Sequence, residues 1–302
     1  YHTISDDTVS HIEEWLEWYQ NDVDNFHRYK IYNGESIIKE ERYRLGMAKT
    51  ICEDWANLIL NEKVSIHTDD SAKDEIIKRS FERNNFRVRA NQLIEIAFAL
   101  GTGAVVAYQT DGGLAEIDYI RADMIWPLSW SNGEITECAF GSERVLDGHK
   151  IIYMQLHRLG RPDDGEAANV YYIENHYLDK ESGKELPMPE TIEPLINTGG
   201  EAPFFFIVTP NIFNNIELES PLGISVFGNA IWAIRGSDLV YDSYMNEFVL
   251  GRKRVMIGKR AIKKMMEKDG IVQPVFDPKD RVFVEYAADI GRDDTTPIKE
   301  LD

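Results

Sequence analysis

SPLGISVFGNAIWAIRGSDLVYDSYMNEFVLGRKRVMIGKRAIKK, Ser220 to Lys264, is the stretch on which the rest of the chain turns. Ser220 reads as an N-cap and Pro221 as the first helical residue, where its missing N–H costs nothing. Ile224, Phe227, Ile231, Ile234, Asp238 and Tyr241 step by three or four and make one mostly apolar face. Val226, Ala230, Ala233, Val240, Tyr244 and Phe248 lay a second seam beside it. The pattern predicts a helix over 221–250, roughly 45 Å long at 1.5 Å per residue. It holds only six charged or amide side chains. Such a helix needs cover on more than one side, from its own domain, from a neighbouring subunit, or from both. Phe227, Ile231, Ile234, Tyr241, Tyr244 and Phe248 are its candidate packing residues.

Gly251 ends the apolar pattern. Arg252, Lys253, Arg254, Lys259, Arg260, Lys263 and Lys264 follow, seven cations in thirteen positions with no acid among them. The whole chain carries −19, so everything outside this block sums to −26. A solvated basic surface at a helix C-terminus is one reading of the block, and a contact with a polyanion or an acidic partner is another. A pI near 4.8 excludes binding of nucleic acid through bulk charge, though not a local contact.

Upstream, the chain changes period once. Residues 1–27 hold seven acids and no Lys or Arg, and Val9, Ile12, Leu16, Tyr19 and Val23 keep helical spacing. We read there an acidic amphipathic helix at the periphery or at an interface. Helices are predicted over 38–62, 71–83 and 88–100, the last closed by Gly101. Tyr43, Met47, Ile51, Trp55, Leu58 and Ile59 form the stripe of the first, and Ile76, Ile77, Ser80 and Phe81 the inward face of the second; Val64–His67 reads as a short strand. From Gly103 to Val208 the pattern alternates, with turn signals at Asp111-Gly112-Gly113, Asn132-Gly133 and Asp147-Gly148, which predicts antiparallel strands. Trp55, Trp126, Trp130 and Trp232 are spaced as core anchors. After the basic block come a short strand at 255–257, a helix at 261–268 and strands at 272–276 and 282–286. The fold class is α+β: a helical and antiparallel-β body, one long helix, and a small α/β unit.

Little in the sequence points to chemistry. Cys52 and Cys138 match no metal-ligand or redox spacing and read as buried free thiols in a reducing compartment. No catalytic or nucleotide-binding motif occurs. No catalytic residue, metal or cofactor is expected. No apolar run approaches the ~20 residues that span a bilayer. The acidic N-terminus is not a secretory signal, and Tyr1 in place of Met leads us to expect a trimmed start.

Four stretches together resemble the phage portal proteins of the SPP1-like group: KTICEDWANLILNEKVSI (49–66), FALGTGAVVAY (98–108), SPLGISVFGNAIWAIRGSDLVYDSYMNEFVLGRKRVMI (220–257) and DDTTPIKELD (293–302). The resemblance implies a wing over 1–218, a stem helix over 219–250 and a clip over 251–302, with the second stem helix, tunnel loop and crown lying beyond Asp302. It implies a ring homo-oligomer, a dodecamer, at one capsid vertex of the virion, assembled in the host bacterial cytoplasm. Its implied partners are the terminase large subunit, the head–tail adaptor, a scaffold or major capsid protein, and double-stranded DNA passing without sequence specificity; no membrane is among them. The basic residues Arg252 to Lys264 would then face the DNA channel or a neighbouring subunit. The alternative is a DNA-binding regulator that uses 252–264.

Overall fold

The computed structural model describes residues 4–32, 36–61, 63–109, 115–146, 148–160, 170–189 and 192–251, together with three strands at 254–258, 283–286 and 298–301. The chain divides into two compact units, Tyr1–Ser237 and Asp238–Asp302.

The first unit opens with α1 (Asp6–Tyr19). The Ser5 hydroxyl accepts the Thr8 N–H, and Asp6 and Asp7 sit in the first turn, where the helix dipole favours them. Ile12, Trp15 and Trp18 are buried together with Phe26, Cys52, Phe98 and Leu100. The helix is amphipathic as expected, its acids exposed, but its apolar face is part of the core and not merely peripheral. Its two tryptophans are core anchors, whereas Trp55, Trp130 and Trp232, expected in that role, are exposed.

A hairpin of β1 (Arg28–Tyr32) and β2 (Ile37–Glu41) comes next. The expected helix began at 38, but Gly46 in the left-handed region (φ 69°) interrupts it, and α2 runs only over Met47–Ile59. That helix buries Ala48, Cys52 and Ala56, not the Trp55–Leu58 side. Small residues at i, i+4 and i+8 let α4 (Phe86–Leu100) approach closely, and backbone proximity wins over side-chain size. Residues 64–67 form no strand. In α3 (Ser71–Arg83), capped by the Asp70 carboxylate, Ser80 is buried and Ile77 and Phe81 are half-buried, but Ile76 is exposed. Tyr19 donates to Glu95 (2.6 Å), and Lys49 bonds the same carboxylate, tying α1, α2 and α4 together.

The β region is antiparallel throughout, as the alternation predicts. One sheet has the order β11-β3-β4, from β3 (Gly103–Gln109), β4 (Ala115–Arg121) and β11 (Phe205–Val208). The larger sheet joins β5 (Ile125–Ser131), β6 (Glu134–Leu146), β7 (His149–Leu159), β8 (Tyr171–Asp179), the two-residue β9 (Glu185–Leu186) and β10 (Leu195–Asn197). Its order is β10-β8-β7-β6-β5, with β9 paired to β8. Asn132-Gly133 turns β5 into β6. The turn read at 111–113 lies outside the described residues.

Along β7, Ile151, Tyr153, Gln155 and His157 point inward at the period of two. His157 is fully buried, with the Phe140 and Phe205 rings edge-on to it at 5.4 Å, and among the described residues neither ring nitrogen finds a hydrogen-bond partner. Burial pulls its pKa down from the ordinary value to about 4. The unfolded chain takes up this proton below pH ~6.5, the folded one only near the depressed value. Stability is therefore fully present above pH ~6.5 and falls through the window down to the folded pKa, by about 3 kcal/mol at its foot. Urea unfolding at neutral pH and at pH ~4.5 should show this loss, and His157→Leu should remove about one proton's share of it.

The largest correction concerns the approach to the long helix. Residues 220–227 are irregular, a 3-10 turn covers Gly228–Ala230, and α5 spans Ile231–Leu250. The reason lies in the C-terminus of α4, which ends on Gly101 (φ 84°), as the sequence predicts. Val226 N–H donates to Phe98 O (2.9 Å), and Gly223 N–H to the buried Thr102 hydroxyl (3.0 Å). The segment thus satisfies an orphan carbonyl of α4 instead of starting its own helix. Leu222, Ile224 and Phe227 are driven into the core as it does so.

The second unit starts at Asp238, inside α5. After Gly251 comes β12 (Arg254–Gly258), paired in parallel with β13 (Phe283–Tyr286) and antiparallel with β14 (Ile298–Leu301). A parallel pair needs a crossover of a dozen residues or more, and 259–282 are long enough to supply one. The helix read at 261–268 and the strand at 272–276 lie outside the described residues. The sequence reading missed β14.

Candidate functional site

The two apolar seams of α5 have different fates. Ile234 is buried, Ile231 and Tyr241 are half-buried, and Asp238, with 1% of its surface exposed, shares their side of the helix with Asp242. Neither aspartate lacks partners. A row of apolar side chains is open along the helix: Trp232 is 78% exposed and Val240 71%, and Tyr244 and Phe248 are exposed as well, Phe248 one heptad beyond Tyr241. The Tyr244 and Phe248 rings meet edge to face at 4.8 Å. Acids covered and aromatic rings in water is the reverse of an ordinary surface helix. Large apolar side chains open in such number on one helix are unusual for a folded chain.

The start of the helix is fixed in the first unit. Ile231 and Ile234 pack on the core that holds Trp15, Trp18 and Phe227. The Arg235 guanidinium lies 4.7 Å from the Phe26 ring and 5.3 Å from that of Trp232, and Arg42 stacks on Phe26 at 4.9 Å. The six packing candidates are therefore not one face. Phe227, Ile231 and Ile234 belong to the core of the first unit, Tyr241 is half-buried, and Tyr244 and Phe248 are open. Sequence spacing separated the two seams but could not say which one the chain itself covers.

Of the basic residues, Arg254 opens β12. Arg252, Lys253, Lys259, Arg260, Lys263 and Lys264 lie outside the described residues.

Among the described residues, no group of three or more His, Cys, Asp or Glu side chains could hold a metal ion. Both thiols are buried and free, and burial pushes the Cys52 pKa up to about 12 and that of Cys138 upward too, which keeps them protonated and poor nucleophiles. No helix among the described residues is long and apolar enough to cross a membrane.

A family model described as phage portal protein, SPP1 Gp6-like, matches residues 1–283. The chain belongs to this family. A search of the curated proteins finds no match to it. As a phage portal protein it is a structural component, and the match runs from α1 through the helical and β-rich unit, along α5 and into β13.

Proposed function

We propose that this chain is the subunit of a ring, of twelve copies in the family it resembles, that forms a DNA channel at one capsid vertex. The observation that carries the reading is the exposed row Trp232, Val240, Tyr244 and Phe248 on α5 of a portal-family chain. In a ring each stem helix lies beside the next, so the row of one copy is covered by its neighbour. The reading divides the chain into a wing (1–218), a stem helix (219–250) and a clip (251–302).

The charge balance supports a conduit. Each phosphate contact adds affinity and salt dependence, and a wall that held DNA tightly would stall it. A body of −26 outside one cationic belt lets a duplex slide without sequence preference. Arg252, Lys253, Arg254, Lys259, Arg260, Lys263 and Lys264 face either the DNA or an acidic neighbour. Charge reversal at Arg252, Lys253 and Arg254 separates the two. Rings that still form but package DNA at least about tenfold less assign the belt to the channel; rings that fail to form assign it to the subunit contact.

The further roles follow the family. The ring nucleates head assembly with a scaffold or major capsid protein, docks the terminase large subunit during packaging, and then takes the head–tail adaptor. Gold-labelled antibody against this chain should mark a single vertex per opened particle. Label at every vertex, or along the tail, contradicts the reading.

A further inference from the structure

Gly236 is the one glycine within α5. Nothing in the subunit calls for a glycine there. The position is regular helix, and a methyl group built on it meets no atom within 4 Å among the described residues. Gly101 and Gly223 differ, since a Cβ on either would run into backbone. A glycine at an open position in a helix makes the local turn about fivefold easier to open than alanine would. Its neighbour adds to the weakness. The Ser237 hydroxyl donates to Ala233 O (3.0 Å), a carbonyl that the helix ladder also uses. A hydroxyl bonded four residues back bends a helix, and Gly/Ser pairs are among the few places where helices kink.

The pair falls where the hold of the first unit on the helix ends. Before it, Ile231 and Ile234 pack on the core with Trp15 and Trp18, and Arg235 lies on the Phe26 ring. No described residue of α5 beyond Ile234 joins that core. After it, Leu239, Val240, Tyr244, Phe248 and Val249 are exposed. The two compact units of the chain divide between Ser237 and Asp238, directly after the pair. A glycine that packing does not require, a back-bonded serine and the end of anchorage thus meet on one turn of helix.

We propose that Gly236–Ser237 is a joint built into α5: the helix opens and bends there, so that its exposed length from Leu239 onward changes direction while the first turn stays fixed in the core. Only the N–H groups of 237–240, which reach back four residues, span the joint. Bending loosens those bonds and leaves the packing of Ile231 and Ile234 intact. Ser243 is an internal comparison, because its hydroxyl bonds Leu239 O (2.9 Å) in the same way with no glycine beside it. The joint is a property of one subunit and does not depend on the ring reading above. In a ring it lets each exposed row settle against its neighbour without disturbing the core.

Hydrogen exchange resolved to single amides, on the full-length protein, tests the joint. The amides of 237–240 should exchange about tenfold faster than those of 242–246, which lie farther along the same helix. Gly236→Ala should slow the 237–240 amides about fivefold and leave the oligomer mass unchanged. Ser243→Ala should leave the fast segment where it is. Protection that declines evenly from 235 to the end of the helix overturns the joint, because that is fraying. A Gly236→Ala variant whose 237–240 amides are no slower overturns it as well. Loss of the oligomer in Gly236→Ala also overturns it, because the glycine is then kept for the close approach of a neighbour. A monomer that shows the same fast segment supports the joint and removes only the ring reading.

Discussion

Tyr244→Asp and Phe248→Asp should each abolish ring assembly and leave the subunit as stable as before. Both side chains are open on α5, and their rings touch each other. Substitution at such a position moves folding stability by no more than about 0.5 kcal/mol, a shift in Tm of about 2 °C or less. In the assembled ring the same carboxylate would be pressed against a neighbour's apolar surface. An uncompensated buried charge costs about 3–5 kcal/mol, which is at least a hundredfold in association at every contact. The pairing of an unchanged melting curve with a lost oligomer is the signature. Equal loss of both would return these residues to the subunit's own core; no loss of either would leave the open face of α5 without a role.

The second large effect is on folding. Gly223→Ala should destabilise the first unit by about 3 kcal/mol or more, lowering its Tm by roughly 6–12 °C. A methyl group on Gly101 would lie 2.5 Å from Gly223 O, and one on Gly223 closer still to Gly101 O. Both obstacles are backbone, so no side chain can swing aside, and the two chains must part. Parting them breaks the Gly223 bond to Thr102 and the Val226 bond to Phe98, and with them the cap on α4. Thermal unfolding followed by circular dichroism measures the effect. A Tm within about 2 °C of the parent would mean that this close approach does not hold α4 to the start of the stem.

That contact also explains what the sequence could not disclose. Ser220-Pro221 followed by apolar residues at helical spacing is a sound local signal for a helix start. A tertiary hydrogen bond to Phe98, 128 residues earlier, overrides it. The α2 stripe misled for a related reason. Trp55, Leu58 and Ile59 have helical spacing and large apolar area, but the fold buries Ala48, Cys52 and Ala56 because α4 comes close only over small side chains. Where local geometry alone decides, the reading and the structure agree. Gly101 stops α4, Asn132-Gly133 turns the β5–β6 hairpin, and the alternation of β7 sets which side chains enter the core. On α5 the two seams were legible as two seams. Which one the subunit covers depends on the packing of Ile231 and Ile234 on Trp15 and Trp18, and no local pattern contains that.

The central claim is that the exposed row of α5 is covered by a neighbouring copy in a closed ring. Native mass spectrometry of the full-length protein, over a range of concentrations, tests it most directly. The account predicts one dominant species at a fixed integer multiple of the subunit mass. A monomer that persists at the highest concentration, or a continuous series of masses with no preferred multiple, would contradict it.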